Sequence, residues 1–481
     1  MSLFAKWLPA SPACDTDLVV QFAGGTVKGL EKARTTFEFG LARLGLNLCV
    51  EGSGDGELEM PLVRFRISKQ PISSIGYGCD VLAYVGQNFP AGYPFGLQDR
   101  SVLFCENLRE NDFVNRGIPD GVIPYQVPFS ELNSACGCLR GKGLIAVGLL
   151  TKILDVPLHL IRSRVCTTAG YSYFDAGYDF AKNHLCKKDL YMLPFTENSP
   201  STNLLNAHQA MELGLGLEHD HCGGSCAEML GRESVQDWVA SHIQIARSMV
   251  NAGVHRDGLP VEGEFRGRHS QVTVMMGVSD LTELVKPESK AQPIILVPTD
   301  VLEVAELISV ASSVRENGGT SIHVAIDKNL SNCSQTVSSE RLTDYARESL
   351  SVTPVTSSQQ LLLHSHLRTR REGDLPADMG FVAWGATQGI VREAMEVCRK
   401  FGMKVGALFP KVLWPFPTED IQAFAQTVGQ LVVVEPNRLG HFTRLMQTQA
   451  SLQPSQIIPK VGEALTPLDI FLNEGFPGRL S

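Results

Sequence analysis

Two stretches concentrate side chains that can do chemistry. In NAHQAMELGLGLEHDHCGGSCAEML, the residues His219, His221, Cys222 and Cys226 form H-x-H-C-x3-C. Imidazole and thiolate suit a tetrahedral site for zinc or another transition metal. The plainer reading is a His-rich loop whose cysteines pack under a helix, because consecutive His221 and Cys222 are hard to aim at one ion. A second pair, Cys136 and Cys138 in SACGC, could chelate or oxidise, or could be two loop thiols, since no second His or Cys pair lies nearby. AGGTVKG follows an apolar strand and opens a helix, the local order in which backbone amides can meet a phosphate. It lacks the G-x-G-x-x-G spacing of the dinucleotide fingerprint, so a strand-to-helix turn is the plainer reading. Arg256, Arg266 and Arg268 could bind a carboxylate or phosphate, or lie scattered on the surface.

These groups sit in a chain of 481 residues, enough for three domains at ~150 residues each. A net charge of -9 leaves no electrostatic footprint for nucleic acid. No run of about 20 uncharged apolar residues suggests a membrane span, and the apolar start of MSLFAKWLPASPACDTD is too short and interrupted for a signal peptide. The twelve cysteines are dispersed through long α/β segments, which fits a reducing, cytoplasmic setting. None of them form the closely repeated run of a bacterial ferredoxin cluster, so any iron–sulfur chemistry is expected on another polypeptide.

The positioning elements are most legible from Phe381 to Met446. FVAWG reads as a strand, and Ile390, Ala394, Val397 and Cys398 share one face of the helix that follows. Lys404 to Leu408 reads as a second strand. LWPFPTED starts another helix with Thr418 as its N-cap, and QLVVVE is a strand buried on both faces. Together these predict a parallel α/β unit. Near the other end, LVVQFAGG predicts a strand, and Leu30, Ala33, Phe37 and Leu41 mark a helix. LVRFRIS, DVLAYV and SVLFCE predict further strands, and Gly141 opens a helix through GLIAVGLLTKILDVPLHLIRSRV. Residues 183–205 and the polar stretch between Ser338 and Asp378 read as linkers.

The order WGAT, helix, GMKVG, LWPFP, VVVEPN, GHFTRL resembles the C-terminal, transketolase-type domain of the alpha subunit of 2-oxoacid:ferredoxin oxidoreductases. Upstream, Gly143, Ala146, Gly148 and Leu149, then Ala176, Gly177, Tyr178 and Ala181, resemble that family's gamma domain. Asp327, Leu330, Ser334, Gln335, Thr336 and Val337 are similar to its segment SDKYLSESSQTV. The resemblance implies a multidomain α/β fold: a gamma-type domain over 1–196, a shortened thiamine-diphosphate pyrimidine-type domain over 197–345, and a linker plus transketolase-C-like domain over 346–481. It implies oxidative decarboxylation of a 2-oxoacid to an acyl-coenzyme A, with ferredoxin as electron acceptor. It also implies a separate beta subunit that shares thiamine diphosphate at its interface and carries the iron–sulfur cluster, in a dimer of alpha–beta units.

The departures fall where the family binds its ligands. Placing Asn206, Ala207, Ala210, Gly214 and Gly216, then Glu228, Met229 and Leu230, on the family pattern puts HCGGS where YPITP belongs. Gly224 then replaces the Thr expected at the 2-oxoacid. Asp237 falls at or beside the family Glu that bonds the aminopyrimidine and assists ylid formation, with Glu233 and Gln236 close by. An acidic first helical turn accounts for the same residues. Gly258, Leu259 and Pro260 resemble what is left of the cofactor-side GLPT run, whose preceding TSGPG strand-turn is missing. GGTVKG and EGSGDGELEMP replace the gamma domain's glycine-rich loop and Arg-Gly-Gly segment, the parts associated with coenzyme A. A non-catalytic scaffold or regulatory subunit, or a metal-binding protein on this scaffold, are the alternative expectations.

Overall fold

The computed structural model describes residues 17–52, 60–76, 78–91, 95–108, 110–137, 140–165, 167–193, 202–220, 263–266, 272–278, 281, 293–314, 321–351, 358–435, 439–457 and 465–471. The chain divides into two compact units, one reaching to Leu204 with Ser334–Thr336 returning to it, the other Leu205–Cys333 and Val337–Ser481.

The first unit begins with β1 (Asp17–Ala23) and α1 (Val27–Ala42), followed by β2 (Asn47–Gly52), β3 (Leu62–Ser68), β4 (Cys79–Tyr84) and β5 (Leu97–Cys105). Then come α2 (Glu110–Arg116), β6 (Ile123–Gln126), α3 (Phe129–Ala135), α4 (Lys142–Ile153), α5 (Leu158–Arg162) and α6 (Thr168–His184). β1, β4, β5 and β6 run parallel, while β3 lies antiparallel between β1 and β2. Leu30, Ala33, Phe37 and Leu41 are all buried, as their helical spacing requires. Phe22, Phe37 and Phe65 meet edge-to-face with centroids 5.3 to 5.6 Å apart, joining β1, α1 and β3 into one core.

The long helix expected from Gly141 is two. Asp155 takes a left-handed φ of 56° and Pro157 follows, so the chain turns between α4 and α5. α4 and α6 cross at glycines: a Cβ on Gly148 would stand 1.9 Å from the Phe174 carbonyl oxygen, and one on Gly177 1.9 Å from that of Ile145. After α6, the segment read as linker is packed rather than free. Asp189 is buried, accepting from the Tyr125 hydroxyl at 2.8 Å and pairing with Lys187 at 3.1 Å.

Asp80, at the start of β4, accepts from the Val19 N–H at 2.7 Å and from the Tyr191 hydroxyl at 3.4 Å. Burial outweighs these bonds and pushes its carboxyl up to about 6. A carboxyl raised in the folded state holds its proton more tightly there than in the unfolded chain. Its favourable contribution is therefore full at low pH and is lost as pH rises through about 6. Asp80→Asn should be more stable than wild type by about 1–2 kcal/mol at pH 8, with the gain vanishing near pH 4. Urea titrations at the two pH values check this, and a gain confined to low pH would refute it.

β7 (Thr202–Asn206) begins in the first unit and runs into the second, which continues with α7 (Ala207–Asp220), β8 (Gly263–Arg266), β9 (Val272–Val278), β10 (Ile294–Leu296) and α8 (Val301–Ser312). β11 (Ile322–Asp327), α9 (Lys328–Ser331), β12 (Cys333–Ser338) and α10 (Ser339–Ser351) follow. α10 falls in the stretch expected to be linker. Leu342, Tyr345 and Ala346, at i, i+3 and i+4, bury one face despite the polar composition around them. α11 (Ser358–Leu361) and β13 (Arg370–Gly373) complete that stretch.

The C-terminal elements are β14 (Ala377–Val382), α12 (Thr387–Lys400), β15 (Val405–Phe409), β16 (Val412–Trp414), α13 (Thr418–Ala425), β17 (Val428–Val434), α14 (His441–Gln449), β18 (Ser455–Ile457) and α15 (Pro467–Phe471). β14, β15, β17 and β18 form the expected parallel unit, with β13 antiparallel on its edge. Two details differ from the sequence reading. Pro417, not Thr418, takes the cap position of α13, and the Thr418 hydroxyl donates to the Gln449 carbonyl instead. The first residues of LWPFP belong to β16, which leaves its own sheet and pairs antiparallel with β10 in the order β16-β10-β11-β9-β8.

Candidate functional site

In an open α/β sheet, ligands collect outside the carboxyl ends of parallel strands, at the point where the chain's winding changes direction. Here that point lies between β1 and β4. β1 leads through α1 to strands on one side of it, and β4, β5 and β6 continue on the other. The two strand ends approach closely: a Cβ on Gly24 would come 2.9 Å from the Gly86 backbone nitrogen and 3.0 Å from the Tyr84 ring. Gly24 and Gly25 have φ of 81° and 76°, conformations that L side chains rarely adopt. The Thr26 hydroxyl then caps α1 by accepting from the Gly29 N–H at 3.1 Å.

α4 starts at the same edge. A Cβ on Gly143 would be 2.5 Å from the Gly29 carbonyl oxygen, so the first turns of α1 and α4 meet backbone to backbone. Lys142, the first residue of α4, reaches a buried carboxylate at the end of β5. Its Nζ donates to Ser130 Oγ at 2.7 Å and lies 3.4 Å from Glu106 Oε2. The Ser130 hydroxyl donates to Glu106 Oε2 at 2.8 Å, and the Ser130 N–H also donates to that carboxylate. A serine whose oxygen accepts from an ammonium is a poor nucleophile, so this cluster is suited to binding rather than to acyl transfer. The ammonium has three donors, and two are used here. With the N-terminal amides of α1, the third could hold an anionic group at the crevice. Glu106, Ser130 and Lys142 were not singled out in the sequence. The available signal was an acid ending the otherwise apolar strand SVLFCE.

Asp237, Gly258, Leu259, Pro260, His221, Cys222 and Cys226 lie outside the described residues, as do Cys138, Gly224 and Arg256. His219 lies on α7. Cys136 is half-buried and its thiol faces the Ser172 carbonyl at 3.5 Å. Among the described residues no group of three or more His, Cys, Asp or Glu could hold a metal, and no helix is long and apolar enough to cross a membrane.

The remaining signature residues are joints of the framework. Asp327 is buried, accepting from the Leu330 N–H at 3.0 Å and from the Ala386 N–H at 2.8 Å. A Cβ on Gly385 would come 2.5 Å from its Oδ2, which is why WGAT needs its glycine. Glu435 of VVVEPN is fully buried and its carboxyl is pushed up by burial. It accepts from the Phe442 N–H at 2.6 Å, the Thr443 N–H at 3.3 Å, the Thr443 hydroxyl at 3.0 Å and Gln456 Nε2 at 3.2 Å. It thereby caps α14, whose own cap residue Gly440 has no side chain to offer. In the first unit, Thr336 accepts from the Leu48 N–H at 2.7 Å, and Ser334 from Arg34 at 2.9 Å.

Residues 377–464 match the family described as pyruvate:ferredoxin oxidoreductase core domain II. A 2-oxoacid:ferredoxin oxidoreductase alpha subunit from Aeropyrum pernix is 29% identical over 89 residues, which cover 18% of this chain and 14% of that protein. A ketoisovalerate oxidoreductase subunit from Pyrococcus abyssi is 41% identical over 63 residues, covering 13% of this chain and 15% of that one. The chain thus matches about a seventh of the length of these two relatives. Its fold follows a solved 2-oxoglutarate:ferredoxin oxidoreductase chain from Magnetococcus marinus over 95% of this chain and 99% of that one. The TM-score is 0.67 at 18% identity, and that structure has 2-oxoglutarate, coenzyme A and succinyl-CoA bound. The likeness carried by WGAT, LWPFP and VVVEPN is therefore shown at the C-terminal domain, and the multidomain α/β architecture over nearly the whole chain.

Proposed function

We propose that this chain, an alpha-type chain of the 2-oxoacid:ferredoxin oxidoreductases by its C-terminal domain and fold, works with a gamma-type domain on the same polypeptide. Its reaction is the oxidative decarboxylation of a 2-oxoacid to the acyl-coenzyme A, with electrons passed to ferredoxin. The observation that carries this is the match of core domain II at 377–464 within a fold that follows an oxidoreductase chain over 95% of its length. The segments 1–196, 197–345 and 346–481 are the domains of this proposal. A separate beta subunit completes the enzyme, sharing thiamine diphosphate at its interface and carrying the iron–sulfur cluster, in a dimer of alpha–beta units in the cytoplasm.

This chain's own part is to bind and position. The crevice at β1 and β4, with the first turn of α1 and Lys142, would take the anionic end of coenzyme A. Asp237, Gly258, Leu259 and Pro260 are the proposed cofactor-side residues.

The test is to purify the chain with its beta-type partner and measure 2-oxoacid-dependent viologen reduction. Reduction with pyruvate, 2-oxoglutarate or a branched-chain 2-oxoacid is expected, and Lys142→Met should raise the KM for coenzyme A roughly fivefold with kcat nearly unchanged. A complex that binds thiamine diphosphate yet reduces no viologen would sink the enzymatic reading. It would leave the scaffold role, which HCGGS in place of YPITP favours. Equal metal content in wild type, Cys222→Ala and Cys226→Ala would dismiss a metal site at His219, His221, Cys222 and Cys226.

A further inference from the structure

Glu106 directly follows β5, at the carboxyl edge of the first unit's sheet, and is 7% exposed. One of its tasks is visible in its partners. The cap position of α3 is Pro128, whose side chain makes no capping bond, and the Ser130 N–H and hydroxyl donate to the Glu106 carboxylate instead. Capping needs an acceptor, and a neutral amide oxygen would serve. The full negative charge acts on Lys142, whose Nζ stands 3.4 Å from Oε2 and has no other ion pair among the described residues.

α4 does not need that ion pair to keep its place. The Gly141 N–H donates to the Oδ1 of buried Asn133 at 2.9 Å, and a Cβ on Gly141 would stand 2.0 Å from the Tyr173 ring. A Cβ on Gly143 would meet the Gly29 carbonyl oxygen, so the first turn of α4 is fixed by Asn133 and by close packing. The charge on Glu106 therefore bears on the field around the ammonium rather than on where the helix begins. Two opposite charges this close, on side chains only 8% and 20% exposed, largely cancel for a ligand in the crevice. We propose that Glu106 is an internal counter-charge that weakens the hold of Lys142 on an anionic ligand, so that the crevice binds coenzyme A moderately and lets the acyl-coenzyme A leave. A ligand phosphate must share the ammonium with a carboxylate that stays in place. An ordinary binding residue has the opposite signature, because its loss loosens the site. The inference rests on the proposed coenzyme A reading and deepens it, from which group binds to how tightly.

The test uses the chain purified with its beta-type partner, with calorimetry for coenzyme A binding and viologen reduction for KM and kcat. Glu106→Gln should tighten coenzyme A about fivefold, a gain that shrinks as salt is raised. KM for coenzyme A should fall with no rise in kcat, because the added attraction is the same before and during the reaction. Glu106→Asp keeps the charge and should tighten binding less than Glu106→Gln. Lys142→Met leaves the carboxylate facing the ligand alone, so adding Glu106→Gln should recover part of the lost affinity. That pair leaves no buried charge unpaired, and it decides the matter even where Glu106→Gln alone folds poorly. Unchanged or weaker coenzyme A binding in a Glu106→Gln variant of wild-type stability, or no recovery in the double variant, would overturn the counter-charge alone. A wild-type complex that binds no coenzyme A would overturn the coenzyme A reading, and the counter-charge with it.

Discussion

Gly177→Ala is expected to cost about 3 kcal/mol of stability, more than a helix-favouring substitution in the middle of α6 would suggest. By propensity alone, Ala should stabilise a helix relative to Gly by ~1 kcal/mol. The packing reverses the sign. The added methyl would stand 1.9 Å from the Ile145 carbonyl oxygen, and the atom in its way is backbone, which no rotamer change can move. α4 and α6 would have to separate, and the reciprocal contact of Gly148 with the Phe174 carbonyl would open with them. Gly148→Ala should do the same, and the double variant should lose less than the sum, because the first methyl already separates the helices. Denaturant titration measures all three. A neutral or stabilising Gly177→Ala would show that the helix crossing has room for a methyl group.

Lys411→Met should cost about 3 kcal/mol or more, for an electrostatic reason. Lys411 is 1% exposed and in contact with the Glu303 carboxylate, which also accepts from the Thr299 N–H at 2.7 Å and hydroxyl at 2.6 Å. Removing the cation strands a buried carboxylate, and a buried pair broken on one side is far more costly than one replaced on both. Adding Glu303→Gln to Lys411→Met should recover part of the loss, since the amide oxygen keeps both Thr299 bonds without the charge. The position also matters for the framework. The Val297 N–H donates to the Lys411 carbonyl at 2.9 Å where β16 crosses onto β10, so the ion pair stands at the junction of the two sheets of the second unit. Failure of Glu303→Gln to rescue any stability would mean that the loss comes from packing rather than from stranded charge.

The contrast between these residues and the candidate site explains how unevenly the sequence could be read. Local periodicity is written in neighbouring residues, so α1, β3, α12 and β17 were legible from their own spacing, and β14 only at Phe381 and Val382 of FVAWG. Composition misled where one apolar face is narrow. α10 carries Leu342, Tyr345 and Ala346 among charged and hydroxyl residues, and a polar average concealed a buried stripe. The α4–α5 break was concealed in the opposite way, by continuous apolar residues on both sides of Asp155. In the candidate site, Glu106, Ser130 and Lys142 are separated in the chain and meet only because three elements end at one sheet edge. No spacing rule connects them.

By itself the sequence determined the α/β class, the strands and helices with strong periodicity, and a lineage carried by WGAT, LWPFP and VVVEPN. Only the tertiary structure decided what those letters do. The Gly of WGAT makes room for Asp327, the first residues of LWPFP leave one sheet to edge another, and the Glu of VVVEPN caps a helix six residues beyond it. Each is a contact between residues distant in the chain or facing away from their own element. A carboxylate's role depends on which donors surround it and how dry its site is, and those are properties of the assembled core.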